Sequence, residues 1–357
     1  MGNSRSGDDV IEVRPDERFD ERRLAGWLRG RLEGADLPLR VRQFGGGHAN
    51  LTYLLEFGSP PEGRDYVLRR PPLGPVAATA HDMHREYRAL SRLWRGFPLA
   101  PRAFLYCADR EMIGADFLVM ERRHGIVVRG AVPPEFGGGR DPVANRKLSE
   151  VVVDSLAAFH AVDPAAVELE GLGKPEGFLE RQVRGWTERL ARVRTRDVPV
   201  AEEVTRWLEQ NLPRSPRATL VHNDWRLDNM AVAPDDPGRC VAVYDWDMCT
   251  LGDPLCDLGT LLSMWSERGE LPAGTNPMPS QVDGFLPRAA AARRYAERSG
   301  RSLDALAYYV VFGTFKMGVV LQQIFFRYER GQTQDRRFAA LGDTAESLFR
   351  LAAERRP

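Results

Sequence analysis

Lysine is nearly missing from this chain: of its fifty basic residues only Lys147, Lys174 and Lys316 are lysines, and the rest are arginines. Any cation needed before residue 147 is therefore an arginine. Cysteine is scarce too. Cys107, Cys240, Cys249 and Cys256 never fall in a C-x-x-C spacing, which argues against a disulfide framework or a zinc site and favours a reducing cytoplasm. An excess of one charge is absent, since fifty acidic residues balance the fifty basic ones, so neither nucleic acid nor an anionic membrane is expected as a partner. The polar opening MGNSRSGDDVIEVRPDER has no apolar core of the kind a secretion signal needs, and a cytoplasmic protein is the expectation. Long apolar runs reduce to one, Leu306 to Phe326. Lys316 at its centre, with Gln322 and Gln323 further on, makes a buried core helix the reading rather than a membrane span.

What is present is an ordinary globular composition, 43% hydrophobic and 28% charged over 357 residues. At roughly 150 residues per domain this length corresponds to about two domains or two lobes of one fold. Residues 1–17 read as a flexible leader. An amphipathic helix is expected over Phe19–Leu32, followed by strands at Leu39–Phe44, Leu51–Phe57 and Tyr66–Arg69, a helix over Ala80–Trp94 carrying Glu86, and a strand at Phe117–Glu121. Beyond Arg122 helical patterns take over, at Lys147–His160, Gly177–Arg194 and Val200–Asn211. Two short apolar runs, Thr219–His222 and Val241–Tyr244, read as a hairpin around a polar turn. The layout is an α+β chain with a small antiparallel-sheet lobe, residues 18–121, and a larger, mainly helical lobe, residues 122–357.

The chemistry concentrates in His222-Asn223-Asp224-Trp225-Arg226-Leu227-Asp228-Asn229, with Asp245 closing the next apolar run. Phosphoryl transfer asks for this set of groups. One carboxylate accepts or orients the proton of the attacking hydroxyl, and Asp224 on a loop past a strand suits it. Asn229 and Asp245 offer hard oxygen ligands of the kind magnesium takes while keeping water and phosphate oxygens in its other positions. Arg226, two residues past the base, is placed to offset charge on the migrating group. His222 reads as a residue that fixes loop geometry.

The H-x-D-x-x-x-x-N string with its following aspartate resembles the catalytic loop of the aminoglycoside phosphotransferase and choline kinase-like branch of the protein-kinase-like fold. The resemblance runs from about Val41 to Trp265. It implies ATP or GTP bound with Mg2+ in a cleft between two lobes, and transfer of the γ-phosphoryl group to a hydroxyl of a small molecule. Arg69 falls where that family has a phosphate-anchoring strand lysine, and Glu86 where its helix partner sits. Gly46 and Gly47 resemble a short nucleotide loop, and the backbone of Met120, Glu121 and Arg122 a hinge for the base. Arg70 is the neighbouring candidate anchor; strand alternation favours Arg69, which shares a face with Val67.

A narrower likeness lies in Leu156–Pro164, Gly177–Val183, Asp245-Trp246-Asp247 and Leu251-Gly252-Asp253-Pro254. These strings are similar to the phosphotransferase domain found fused to acyl-CoA dehydrogenases, which implies a small hydroxylated acceptor, with a hydroxyacyl compound among the candidates. Arg181, Gln182 and Trp186 lie along one helical face, either a packed and solvated surface or the lining of the acceptor pocket. Asp253 and Asp257 resemble family positions that cap or brace the next helix. The rival to an active enzyme is an idle relative that binds nucleotide or metabolite as a sensing or partner module. The oligomeric state has no signature in the sequence.

Overall fold

The computed structural model describes residues 10–45, 50–73, 82–267, 270–272, 275, 278–333 and 335–357. They form two compact units, and the chain passes between them several times. The smaller unit comprises residues up to Ile126 together with Val167–Leu169 and Val241–Met248; the larger comprises Val127–Ala166, Glu170–Cys240 and Cys249–Pro357.

The smaller unit contains, in chain order, β1 (Val10–Ile11), α1 (Glu21–Leu28), β2 (Leu39–Phe44), β3 (Leu51–Phe57), β4 (Arg64–Arg70), α2 (Met83–Leu93), β5 (Ala103–Cys107), β6 (Phe117–Glu121) and the start of β7 (Ile126–Val127). The first six strands form one antiparallel sheet in the order β1-β2-β3-β4-β6-β5. Side chains alternate across it. Tyr53, Leu55, Phe57, Tyr66 and Leu68 bury one face with Leu24 and Leu28 of α1, so Arg70 lies on that face and Arg69 on the other. Residues 10–17, within the stretch read as a leader, join this unit: β1 pairs with β2 and Val13 is buried. Helix α1 is shorter than the Phe19–Leu32 expectation. Asp20 caps its start by accepting from the Arg23 amide, and the turn through Gly30, at φ 71°, ends it. α2 begins at Asp82, which caps it in the same way, and buries Met83, Glu86, Leu90 and Leu93 along one stripe.

The larger unit holds α3 (Pro142–His160), α4 (Phe178–Arg192), α5 (Pro199–Gln210), β8 (Thr219–Val221), β9 (Met230–Ala233), most of β10 (Asp236–Val243), β11 (Thr250–Gly252), α6 (Pro254–Ser263), α7 (Arg288–Ser299), α8 (Leu306–Glu329) and α9 (Leu341–Glu354). α3 starts five residues before the expected Lys147, because Asp141 caps it and Pro142 occupies its first position. The hairpin expected between Thr219–His222 and Val241–Tyr244 does not form. β8 pairs with β11, and β10 lies beside β9, a wholly buried Met-Ala-Val-Ala run directly after the H-x-D-x-x-x-x-N string. Periodicity does not tell four apolar residues without alternation from a buried helix segment.

α8 is the one helix among the described residues long and apolar enough to cross a membrane. It is packed instead against α6 and α9, burying Tyr309, Phe312, Phe315 and Val319. α6 and α8 cross at glycines: a Cβ on Gly259 would sit 2.4 Å from the Tyr309 carbonyl oxygen, and one on Gly313 2.7 Å from the Gly259 carbonyl oxygen. Only glycine permits that approach.

Candidate active site

β4, α2 and the turn after β10 bring together an arginine and two carboxylates in the smaller unit. Arg69 donates through Nη1 to Glu86 Oε1 at 2.5 Å and through Nη2 to Asp245 Oδ1 at 2.8 Å. Its planar fork therefore spans both carboxylates, which a point-charge ammonium would not do. Glu86 is 0% exposed. Burial pushes its carboxyl up to about 7, against the lowering effect of Arg69, while Asp245 and Asp247 push it further up. Two buried atoms at this cluster, Arg69 Nε and Glu86 Oε2, have no hydrogen-bond partner in the described structure. Asp245 adopts a left-handed backbone, φ 66°. Its neighbour Asp247 accepts from the side chain of buried Asn50 at 3.5 Å.

Arg70 points to the opposite face. It donates to the carbonyls of Ile113 at 2.7 Å and Glu17 at 2.8 Å and to the Tyr53 hydroxyl, tying the N-terminal segment down. Met120 and Glu121 end β6. Met120 sits opposite Val67, and the Glu121 amide donates to the Arg102 carbonyl at 2.8 Å. The Arg122 side chain is paired with Asp65. Gly46 and Gly47 lie outside the described residues.

In the larger unit the motif forms a tight loop after β8. The Asn229 amide donates to both the Asp224 backbone carbonyl and the Asp224 carboxylate, each at 2.9 Å. Arg226 is paired with Asp228 rather than with Asp224. Burial raises the Asp228 carboxyl, Arg226 pulls it down, and Asp224 adds to the rise. His222 is fully buried and accepts the Asp224 amide at Nδ1, 3.3 Å away, which is the geometry-fixing role its position suggested.

The loop is braced from α6. Asp257, 0% exposed, accepts the amides of His222 at 2.6 Å and Asn223 at 2.7 Å. His160 Nε2 lies 3.2 Å from the same carboxylate, and His160 Nδ1 lies 2.7 Å from the Tyr295 hydroxyl. Burial holds the His160 imidazole below its usual range; neutral, it donates from Nε2 and accepts the tyrosine proton. Burial alone would raise Asp257, but its histidine and amide donors hold it below the usual carboxylate range. Asp253 caps α6 and accepts from Tyr309 at 2.6 Å. Lys316 of α8, which the sequence offered only as an argument against a membrane span, donates to the Asn223 carbonyl at 2.5 Å.

The model of the phosphotransferase enzyme family matches residues 40–307. The chain belongs to the phosphotransferase enzyme family. It is 31% identical to the human protein named acyl-CoA dehydrogenase family member 11 over 349 residues, covering 90% of this chain and 41% of that protein. The chain thus spans about two fifths of the length of such relatives. A crystal structure of a putative aminoglycoside phosphotransferase from Ralstonia eutropha superposes with a TM-score of 0.79 at 28% identity, over 94% of this chain and 99% of that one. A thermostable mutant aminoglycoside phosphotransferase, in ternary complex with AMP-PNP and hygromycin B, superposes with a TM-score of 0.53 at 16% identity, over 88% and 95%. The kinase-like α+β fold of the family is the fold of this chain.

In this phosphotransferase family member the residues read as acceptor candidates divide. The Arg181 guanidinium is spent on the Glu176 and Lys174 carbonyls at the start of α4. Gln182 is half-buried and makes no hydrogen bond among the described residues. Trp186 is flanked by two cations, Arg189 at 4.5 Å and Lys316 at 5.4 Å from its ring, and neither makes an ion pair among the described residues. Sequence reasoning missed Arg189; its spacing of three from Trp186 was the available signal.

Among the described residues no group of three His, Cys, Asp or Glu side chains is arranged to hold a metal. The donor chemistry fits magnesium nonetheless. Both side-chain hydrogen bonds of Asn229 use its nitrogen, so its side-chain oxygen accepts nothing from the described residues, and an ion of this kind takes few protein oxygens and completes its shell with water and phosphate.

Proposed function

We propose that this chain transfers the γ-phosphoryl group of ATP or GTP to a hydroxyl of a small molecule. The observation that carries the reading is the double hydrogen bond from Asn229 to Asp224: it fixes a carboxylate beside a free amide oxygen on one short loop. Asp224 takes the proton of the attacking hydroxyl. Arg226, steadied by Asp228, offsets charge on the migrating group. Asn229 and Asp245 are the proposed oxygen ligands for Mg2+, which when bound neutralises phosphate charge. Arg69, held by Glu86 and Asp245, is the proposed phosphate anchor through its charge, and the backbone at Met120, Glu121 and Arg122 receives the base. The AMP-PNP complex of the structural relative supports a nucleotide donor.

For the acceptor, two unpaired cations around Trp186 favour an anionic molecule over a polycationic one. Together with relatives named as acyl-CoA dehydrogenases, this supports a hydroxyacyl compound. The competing reading, an idle nucleotide- or metabolite-binding module, draws on Arg69, whose fork is already filled by two carboxylates. The test is thermal stabilisation by ATP with Mg2+, followed by a screen for phosphate transfer to hydroxy acids, hydroxyacyl thioesters, amino alcohols and aminoglycosides. Transfer to a hydroxyacyl compound is the expected result. Stabilisation without ATP consumption across the screen selects the idle module.

A further inference from the structure

The acceptor reading uses Lys316 only as one of two cations beside Trp186 and leaves the bond its ammonium makes unexplained. Lys316 sits mid-way along the apolar helix α8, half-buried, with its ammonium 2.5 Å from the Asn223 carbonyl oxygen and no ion pair among the described residues. Three N–H donors are available and one is used. Burial works against its charge, which Asp224 and Asp257 support from a distance. A methionine would fill the same volume without desolvating a cation, so stability alone does not account for an ammonium here.

What the ammonium touches explains it. Asn223 has a left-handed backbone, φ 69°, a region that asparagine enters more readily than most side-chain-bearing residues and that its partners fix here. Its N–H is held by the Asp257 carboxylate at 2.7 Å and its C=O by the Lys316 ammonium at 2.5 Å. The two ends of one left-handed residue are thus gripped by opposite charges, from helices that cross at Gly259, two residues after Asp257, and Gly313, three before Lys316. With no side chain between the backbones at that crossing, the two helices that carry the charges are packed directly against each other. The next residue is Asp224.

We propose that Lys316 closes a two-sided charge clamp with Asp257 that keeps Asn223 left-handed and so aims the Asp224 carboxylate, making Lys316 a positioning residue for phosphoryl transfer. This role rests on Asp224 being the base, while the clamp itself is measurable without any turnover.

The experiment compares Lys316→Met, Lys316→Gln and Lys316→Arg in the full chain. Amide hydrogen exchange of the 222–229 segment is followed by mass spectrometry, beside Mg·ADP affinity, ATP consumption and transfer to whichever acceptor the screen yields. Lys316→Met is expected to speed exchange in that segment by about tenfold or more, and to leave Mg·ADP affinity within about twofold. Turnover should fall by about thirtyfold or more in kcat at unchanged KM for ATP. Lys316→Arg, which keeps the cation, should recover most of both. Lys316→Gln, whose amide still donates to the carbonyl, should fall between and serves if the methionine variant fails to fold. Wild-type exchange in Lys316→Met, or in Lys316→Gln where that variant stands in for it, overturns the clamp. So does a loss confined to the acceptor KM, which would make Lys316 a substrate contact. A wild-type protein that transfers no phosphate yet shows the exchange pattern would refute the proposed function and leave the clamp standing.

Discussion

The side-chain nitrogen of Asn229 donates to the backbone carbonyl and to the carboxylate of Asp224, both at 2.9 Å, closing the loop on itself. The bond holds Asp224 and leaves the Asn229 oxygen for another partner, so the two residues should fail differently. Asp224→Ala should lower turnover by on the order of a hundredfold or more with nucleotide affinity nearly intact. Asn229→Ala should lower turnover and weaken Mg2+-dependent nucleotide binding together. Steady-state kinetics beside nucleotide titration separates the two, and an unaltered rate in Asp224→Ala would remove its role as base.

Asp245 is held by Arg69 at 2.8 Å. Asp245→Ala should abolish the Mg2+-dependent part of nucleotide binding, read as the difference between calorimetric titrations with Mg2+ and with EDTA. Metal-dependent binding that survives would strike Asp245 from the ligand set.

Arg69 and Arg70 are neighbours in sequence with opposite tasks. Arg69→Lys should weaken nucleotide binding by about tenfold, since an ammonium replaces a fork that spans two carboxylates. Arg70→Met should leave nucleotide affinity unchanged and destabilise the fold by on the order of 1–3 kcal/mol, because the Ile113 and Glu17 carbonyls and the Tyr53 hydroxyl lose a shared buried donor. Reversal of these two phenotypes in denaturant titrations and binding assays would mean that Arg70 is the anchor.

The buried His160 sets a pH dependence of stability. Its folded-state pKa lies below the ordinary 6.5, so as pH falls through 6.5 the unfolded chain takes up the proton first and stability is lost. The loss reaches at most about 1.4 kcal/mol one pH unit below that value. Asp257, lowered from 3.8, adds a further loss only at stronger acidity. Glu86, raised to about 7, works the other way, its contribution fading as pH rises through that value. The His160 part is therefore read as a difference: the stability gap between wild type and His160→Gln should shrink as the buffer is taken from about pH 7.5 to about pH 5.5. A gap that stays constant would show that His160 is not neutral in the fold.

Much of the smaller unit was legible because its strands are apolar runs between turn residues, alternating in β2 and unbroken in β6. The expected bounds Leu39–Phe44, Leu51–Phe57 and Phe117–Glu121 are those of β2, β3 and β6. β5 and β9 were missed, being short runs with no alternation to mark them. The pairing of β8 was misjudged for a related reason: its partner β11 lies beyond two intervening strands, and a three-residue strand carries no record of what it will pair with. The partner of Arg226, Asp228, was visible two positions away, but sequence alone does not rank it against a phosphate.

By itself the sequence determined what acts over a few bonds or along one strand: the order of His222, Asp224, Arg226 and Asn229 around a single loop, and the opposite facing of Arg69 and Arg70. Tertiary structure decided which distant groups meet them. It gathers Val241–Met248 into the smaller unit, so that Asp245 reaches Arg69 across 176 positions, and it brings Asp257 and Lys316 to the two ends of Asn223. The physical reason is range: backbone sterics and side-chain alternation are set by neighbours, whereas burying a core and finding a partner for every buried charge are satisfied only by the whole chain at once.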